Sequence, residues 1–117
     1  MHTKDQLGIA GEDYAVRYLV GAGFTIVTRN WRCPEGEVDI LAMDGNTLVV
    51  VEVKTRTSTA YGLPLEAVTW RKSEKLKTLA MCWLRERPHR GPIRFDVISI
   101  VMPKNARPEL QHVRAAF

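Results

Sequence analysis

The sequence predicts an α/β fold, an αβββαβ core in which helices flank a mixed central sheet. Two stretches have apolar residues at helical spacing, and four others are rich in β-branched residues. The second helical stretch separates two strands, an order that favours parallel pairing through a crossover. With 117 residues, the chain is expected to form a single domain over residues 1–117.

The first helix carries an acidic residue on an unusual side. It is expected to begin near residue 4, because Thr3 and Gln6 form a capping-box pattern, and to end at the glycines of residues 21–23. Small and apolar residues lie one turn away from Glu12 in both directions. Burial of a lone charge is unfavourable, so Glu12 either reaches solvent from the boundary or needs a partner or a metal ion.

A β-hairpin follows the first strand, which is predicted at residues 24–31. Gly45 and Asn46 suit a two-residue type II′ turn between the two strands of the hairpin. Such a turn sets the register, because Asp44 must then lie opposite Thr47 and every other pair follows. The second hairpin strand begins with residues that are apolar on both faces, which indicates a central strand.

The register brings charged side chains together on one face of the sheet. Asp39 is predicted to lie opposite Glu52, and Glu37 opposite Lys54. Opposed side chains are roughly 4.5–5.5 Å apart at Cβ. Two acids at that distance repel each other unless a cation lies between them or one of them is protonated. The pattern predicts half of a divalent-metal site with a lysine beside it, and Glu37 supports it.

The second helix is expected to run from an N-cap at Thr69 to about Arg87. Lys72 lies one turn before the apolar stripe and in line with it, so its side chain is expected to point toward the sheet. Lys75 lies closer to the boundary of the stripe. The N-terminal end of a helix also favours anions. On spacing alone, exposure to solvent explains both lysines equally well.

Positive charge is concentrated in one half of the chain. Residues 54–94 contain ten Lys and Arg against three acids, a balance of +7, which leaves −3 for the rest of a chain with net charge +4. A basic half beside an acidic pocket suits a polyanion held over a bound metal, although a solvated helix face explains part of it. Arg56, Lys72 and Lys75 are candidates for phosphate contacts, and Tyr61 for base stacking.

Several classes of protein are not indicated. No apolar run approaches the roughly 20 residues that span a bilayer, and no signal-peptide core follows the N-terminus, so we expect a cytoplasmic protein without a membrane partner. Cys33 and Cys82 lack metal-ligand spacing and are interpreted as inert reduced thiols. The histidines at positions 2, 89 and 112 are interpreted as surface residues, and residues 103–117 are assigned no chemistry.

An Asp on one central strand and Glu-x-Lys on the next provide what metal-assisted phosphodiester hydrolysis requires. Carboxylate oxygens bind Mg²⁺ or Mn²⁺, and the ion lowers the pKa of a bound water, which Lys54 can orient. The residues alone leave three interpretations open. The chain is a metal-dependent nuclease, a nucleic-acid-binding module with little or no cleavage activity, or a protein-interaction domain. In the third, the charges form salt bridges, Glu37 with Lys54 and Asp39 or Glu52 with Lys72.

Asp39 with the segment from Glu52 to Lys54 resembles the PD-(D/E)xK signature of the restriction-endonuclease-like superfamily. Val38 stands where that signature has Pro. More closely, the chain is similar to the YraN family, also called UPF0102. The similar segments are distributed over nearly the whole chain. They are residues 11–15 (GEDYA), 36–40 (GEVDI), 51–56 (VEVKTR), 94–97 (RFDV) and 112–117 (HVRAAF).

The resemblance implies a Holliday-junction-resolvase-like nuclease fold. In that fold Asp39 and Glu52 would bind Mg²⁺ or Mn²⁺, and Lys54 would assist the attacking water. The implied substrate is nucleic acid, DNA before RNA, with branched or damaged DNA as candidates. Symmetric cutting of a junction needs two sites, so a homodimer is a candidate assembly.

The same resemblance extends the set of site residues. It implies the backbone carbonyl of Val53 as a further metal ligand. Glu12 would match the helical glutamate of that fold, and Lys72 the basic residue of its second helix. Fold does not by itself establish activity, so the substrate follows from the resemblance by analogy alone.

Overall fold

The computed structural model describes residues 4–58 and 70–117. Its elements are, in chain order, α1 (Lys4–Gly21), β1 (Thr25–Cys33), β2 (Gly36–Asp44), β3 (Thr47–Arg56), α2 (Trp70–Glu86), β4 (Ile93–Val101) and β5 (Glu109–Val113). The predicted class and element order are confirmed, and β5 is an additional strand in the segment that was assigned no chemistry. The predicted helix caps Thr3 and Thr69 and the stacking candidate Tyr61 lie outside the described residues.

The strands form one mixed sheet in the order β1-β2-β3-β4-β5. β3 pairs in parallel with β4, as the strand–helix–strand order predicted, and the other three pairings are antiparallel. β3 is the middle strand, which explains why its sequence is apolar on both faces. Neither helix of the described part of the chain is long and apolar enough to cross a membrane.

The two helices pack on opposite faces of this sheet, because successive side chains of β3 belong to different cores. The core on the α1 side consists of Ala15, Leu19, Phe24, Ile40, Ala42, Val49, Val51, Ile98 and Ile100. The core on the α2 side consists of Val38, Leu41, Leu48, Val50, Leu76, Leu79, Ala80 and Trp83.

The hairpin turn has the predicted conformation. Gly45 has φ +60°, whereas the described non-glycine residues with positive φ are Asn30 and Ala115, so Asn46 is not among them. Positive φ at the first turn position only is the type II′ pattern. The register from Asp44 opposite Thr47 onward is confirmed.

The paired ladder of β2 and β3 ends earlier than predicted, at Ile40 and Val51. Val38 packs on the α2 side and Ile40 on the α1 side, so the alternation of side chains breaks at Asp39. The carboxylate of Asp39 instead accepts a hydrogen bond of 2.8 Å from the backbone N–H of Val53.

This break corrects the predicted cross-strand pairs. Asp39 opposite Glu52, and Glu37 opposite Lys54, are not partners in the observed ladder, and those predictions were wrong. The physical reason is a competing hydrogen bond. The side chain of Asp39 accepts from the backbone N–H of Val53, which in a regular ladder would donate to a backbone carbonyl of β2. The break leaves an opening between the two strands.

α1 approaches the sheet closely at Gly11. A Cβ atom there would lie 2.7 Å from Cγ2 of Thr55 and would also overlap its Oγ1. A β-branched side chain in a strand has little freedom to move aside. We therefore expect Gly11→Ala to lower the free energy of unfolding by about 1–3 kcal/mol, as measured by urea denaturation.

Gly8→Ala is the matched control for this prediction. Gly8 lies in the same helix, and nothing lies within 4 Å of a Cβ atom placed there. Alanine has the higher helix propensity, so this change should be neutral or stabilising by up to about 1 kcal/mol. Equal destabilisation by both substitutions would contradict the close approach at Gly11.

The C-terminal strand is held by a buried charged cluster, so the prediction that His112 is a surface residue was wrong. Its side chain is 4% exposed. The Nε2 atom of His112 lies 2.7 Å from Oδ2 of Asp96, and Nδ1 lies 2.9 Å from the Tyr18 hydroxyl. An ionised carboxylate only accepts hydrogen bonds, so Nε2 is the protonated nitrogen.

Asp96 is the common hydrogen-bond acceptor of that cluster. Its side chain is fully buried and accepts hydrogen bonds from Arg94 Nε at 2.8 Å and from the backbone N–H of Ala115 at 3.0 Å. Although burial raises the pKa of Asp96, hydrogen bonds from His112 and Arg94 outweigh it and lower the pKa to about 2. The cluster joins β4 to the end of the chain.

Candidate metal and nucleic-acid site

A cavity of about 510 Å³ lies at the end of the sheet where β2 and β3 separate. Residues of α1, β1, β2 and β3 line it, and the sequence-predicted residues among them are Glu12, Glu37, Asp39, Val53 and Lys54. A second cavity of about 150 Å³ lies against α2 and is lined by Glu37, Glu52, Lys72, Lys75, Leu76 and Leu79. Glu37 borders both cavities, so they are neighbours.

Asp39 is the most perturbed acid of the site. Burial raises the pKa of Asp39 to about 7, the negative charge of Glu52 adds to the increase, and Glu12 and Glu37 contribute further. The hydrogen bond from Val53 acts in the opposite direction and is outweighed. Asp39 therefore occupies a position with excess negative charge, which a cation would relieve.

Lys54 lies beside these acids. Its Nζ atom is 3.4 Å from Oε1 of Glu52. Burial lowers the pKa of Lys54, but the charge of Glu52 and its hydrogen bond with Lys54 raise it, and the net direction is upward. For Lys72 the net direction is downward, because burial and the neighbouring Lys54 both lower its pKa. Lys54 therefore keeps its proton more firmly than Lys72.

Glu12 is buried, since the residue is 9% exposed, so of its two open interpretations the one that needs a partner applies and the boundary one does not. Its Oε1 atom accepts hydrogen bonds from Arg29 Nε at 3.1 Å and from Asn30 Nδ2 at 2.9 Å. Asn30 has φ 51°, a conformation that asparagine tolerates better than most residues. Arg29 also donates to Asp13 at 2.6 Å.

Neither partner of Glu12 was predicted from the sequence. Only a weak sequence signal pointed to Asn30. Asparagine is uncommon in strands, so its presence in a strand-forming stretch indicates an irregular backbone but not the residue that it contacts. No sequence signal pointed to Arg29. Its contacts with Glu12 and Asp13 join β1 to α1, and no pattern along either element reports a contact between the two.

The described ion pairs differ from those of the salt-bridge interpretation. Glu37 pairs with Arg32 of β1 at 3.6 Å, whereas the predicted pair of Glu37 with Lys54 is replaced by Lys54 with Glu52. The Arg32 pair is largely exposed and therefore contributes little stability.

The candidate phosphate-binding residues lie around the same end of the sheet. Lys72 and Lys75 border the smaller cavity together with Glu52. Arg56 is the last residue of β3, two positions beyond Lys54 and therefore on the same side of the strand.

The donor set suits a hard cation. In the described residues, the carboxylate oxygens of Glu12, Asp39 and Glu52 do not all lie within 4.8 Å of one another. Mg²⁺ commonly uses one or two carboxylates and keeps several waters, so a tight cage of three acids is unnecessary. Asp39 and Glu52, with the carbonyl of Val53, could hold such an ion, and Glu12 could reach it through water.

Comparison with known proteins shows that the chain is similar to members of one protein family. The model of a family described as "Uncharacterised protein family UPF0102" matches residues 11–100. A UPF0102 protein of Clavibacter michiganensis is 45% identical over 117 residues, 99% of each chain. Those of Frankia casuarinae and Rhodococcus opacus are 47% and 50% identical, covering 100% and 95% of both chains.

Proposed function

The chain belongs to the UPF0102 family, and we propose that it is a metal-dependent nuclease that hydrolyses phosphodiester bonds in DNA, with branched or damaged DNA as candidate substrates. One observation carries the proposal. Asp39 lies where two central strands separate, and Glu52 and Lys54 of the neighbouring strand lie beside it. Acid, acid and lysine in this arrangement are the groups that metal-assisted hydrolysis uses.

The proposed metal ligands are Asp39, Glu52 and the carbonyl of Val53, with Glu12 as an outer ligand. The Val53 N–H already donates to Asp39, so the Asp39 carboxylate is oriented before a cation binds. Arg29 and Asn30 orient Glu12 in the same way. When bound, Mg²⁺ would supply a lowered pKa for the attacking water and charge stabilisation at the phosphate.

Lys54 is proposed to act on the reacting groups directly. Its ammonium group has three N–H donors. One of them is directed to Glu52, whose Oε1 atom lies 3.4 Å from Nζ. A remaining donor can orient the attacking water or stabilise the negative charge that develops on a phosphate oxygen. Because the pKa of Lys54 is raised, the group is cationic at neutral pH and does not serve as a base.

The proposed DNA-binding surface consists of Arg56, Lys72 and Lys75. All three lie at the end of the sheet that holds the acids, so a phosphate backbone crossing it would pass over the carboxylates. Positive charge at this position offsets the repulsion between DNA and the acidic cavity. Residues of this kind contact phosphate and carry no sequence information, so we propose that recognition depends on DNA shape.

A cleavage assay tests the function. Single-stranded, duplex, flap and four-way-junction DNA, with RNA counterparts, are incubated with the protein in Mg²⁺, in Mn²⁺ and in chelator. Metal-dependent cleavage of a DNA substrate is the expected result. Tight binding without cleavage in either metal would favour the nucleic-acid-binding module, and neither binding nor cleavage would refute both.

Metal binding should depend on pH through Asp39. The carboxyl has a pKa of about 7, so below that value a cation must displace a proton from it. We expect the apparent Mn²⁺ affinity, measured by calorimetry, to rise about tenfold per pH unit below pH 7 and to level off above it. Asp39→Asn should remove the inflection. An affinity that stays constant from about pH 5.5 to 8 would contradict this assignment.

A further inference from the structure

A second group of metal-binding side chains lies outside the carboxylate cavity. Within the described residues, Cys33, Glu35 and Cys82 form a group whose ligand atoms all lie within 4.8 Å of one another. Both cysteines are free thiols and half-buried, and the glutamate is exposed. Spacing along the chain had excluded such a group, because Cys82 belongs to α2 and the other two residues lie around the β1–β2 turn.

The scaffold that brings these three residues together is tightly packed. Cys33 packs against the core on the α2 side, and Trp31 and Trp83 meet edge to face with ring centroids 5.4 Å apart. Each tryptophan lies within two residues of one of the cysteines. The β1–β2 turn is therefore held against α2 by side chains outside the group itself.

Gly36 shows how closely the turn approaches the helix. It has φ +147°, which favours glycine, and a Cβ atom there would lie 2.8 Å from Cε of Lys75 and 3.6 Å from Cδ2 of Leu79. Lys75, Leu79 and Cys82 are spaced at four and three residues, so they lie along one side of α2. The same side of the helix thus covers the turn and presents the Cys82 thiol to it.

We propose that Cys33, Glu35 and Cys82 form a binding site for a thiophilic divalent cation of the class of Zn²⁺. Two sulfurs and one carboxylate oxygen are a soft donor set that selects such ions over Mg²⁺. Donor atoms around a tetrahedral Zn²⁺ are about 3.5–3.8 Å apart, so small side-chain rotations bring the group to bonding distance. Three protein ligands leave the fourth position to water.

The existing contacts favour a cation at this place. A carboxylate oxygen of Glu35 lies within 4.8 Å of the sulfurs of Cys33 and Cys82, so the three donor atoms are already close together. Binding would release the thiol protons as the two sulfurs and the carboxylate bond to the metal ion. The ion would tie the β1–β2 turn to α2, the helix that carries Lys72 and Lys75, and would stabilise the folded state.

Cobalt titration tests this site, because thiolate–Co²⁺ charge transfer is absent from all-oxygen sites. The reduced protein is titrated in the Asp39→Ala background, which removes the proposed oxygen site. We expect a thiolate–Co²⁺ band that saturates near one equivalent and is displaced by Zn²⁺. Cys33→Ser and Cys82→Ser should each abolish the band. Glu35→Gln should weaken Co²⁺ binding by at least about tenfold.

Glu86→Gln is the matched control, since Glu86 is an exposed acid of α2 outside the group. It should leave the band and the affinity unchanged, and circular dichroism should show that every variant is folded. A missing band, or one that survives either serine substitution, would overturn the proposal. The proposal would also be overturned if the protein bound no Co²⁺ but lost the mass of two hydrogens under mild oxidation. That result would identify Cys33 and Cys82 as a disulfide-forming pair. None of these results depends on whether the protein cleaves DNA.

Discussion

Replacement of Asp39 by alanine is expected to reduce metal-dependent DNA cleavage by at least about 10²–10³-fold. The substitution removes the carboxylate that accepts from the backbone N–H of Val53 and whose pKa the charge of Glu52 raises, so the proposed ion loses a direct ligand. Single-turnover cleavage of the best substrate, with metal at saturating concentration for the unchanged protein, measures the loss. Glu109→Ala, at an exposed acid of β5, should keep full activity.

Stability measurements separate this loss from unfolding. The pKa of Asp39 is raised from 3.8 to about 7 in the folded protein, so the fold favours the neutral form. The sign follows from linkage: stability falls as pH rises from 3.8 toward 7, and the ionised group is unfavourable above 7. Asp39→Ala should therefore be at least as stable as the unchanged protein at pH 8 without metal. An inactive but destabilised variant would point to a structural role.

Replacement of Asp96 by alanine is expected to lower the free energy of unfolding by about 3–5 kcal/mol. The fully buried carboxylate is the common acceptor for Arg94, His112 and the backbone of Ala115. Its removal leaves a buried imidazole and a mostly buried guanidinium without this partner. Chemical denaturation at neutral pH measures the change.

Asp44→Ala is the matched control, because Asp44 accepts from the same Arg94 at 2.9 Å while 34% of its side chain is exposed. A pair at such a position is worth at most about 1 kcal/mol. Equal losses from the two substitutions would contradict the special role of the buried acid.

Acid denaturation gives an independent check on Asp96. Its pKa is lowered from 3.8 to about 2, so its contribution is fully present above pH 3.8 and is lost as pH falls through about 2. The shift corresponds to roughly 2 kcal/mol. Asp96→Asn should remove this part of the acid dependence of stability.

The sequence by itself determined the order of the elements and the first part of the hairpin register. Helical and strand periodicity are local properties, and the turn at Gly45 specifies which residues lie opposite each other nearby. The neighbours of Glu12 along its own helix marked it as either a boundary residue or a buried acid in need of a partner, and the structure selects the second. The acids and lysines around the cavity came from the same local information.

Only the tertiary structure decided where the ladder stops and which distant groups meet. Periodicity assigns side chains to faces, but it cannot report that Asp39 takes the backbone donor of Val53 and ends the pairing. The contact of His112 with Asp96 and the meeting of Cys33 with Cys82 join segments far apart in the chain. Such contacts depend on the packing of whole elements, which no local pattern records.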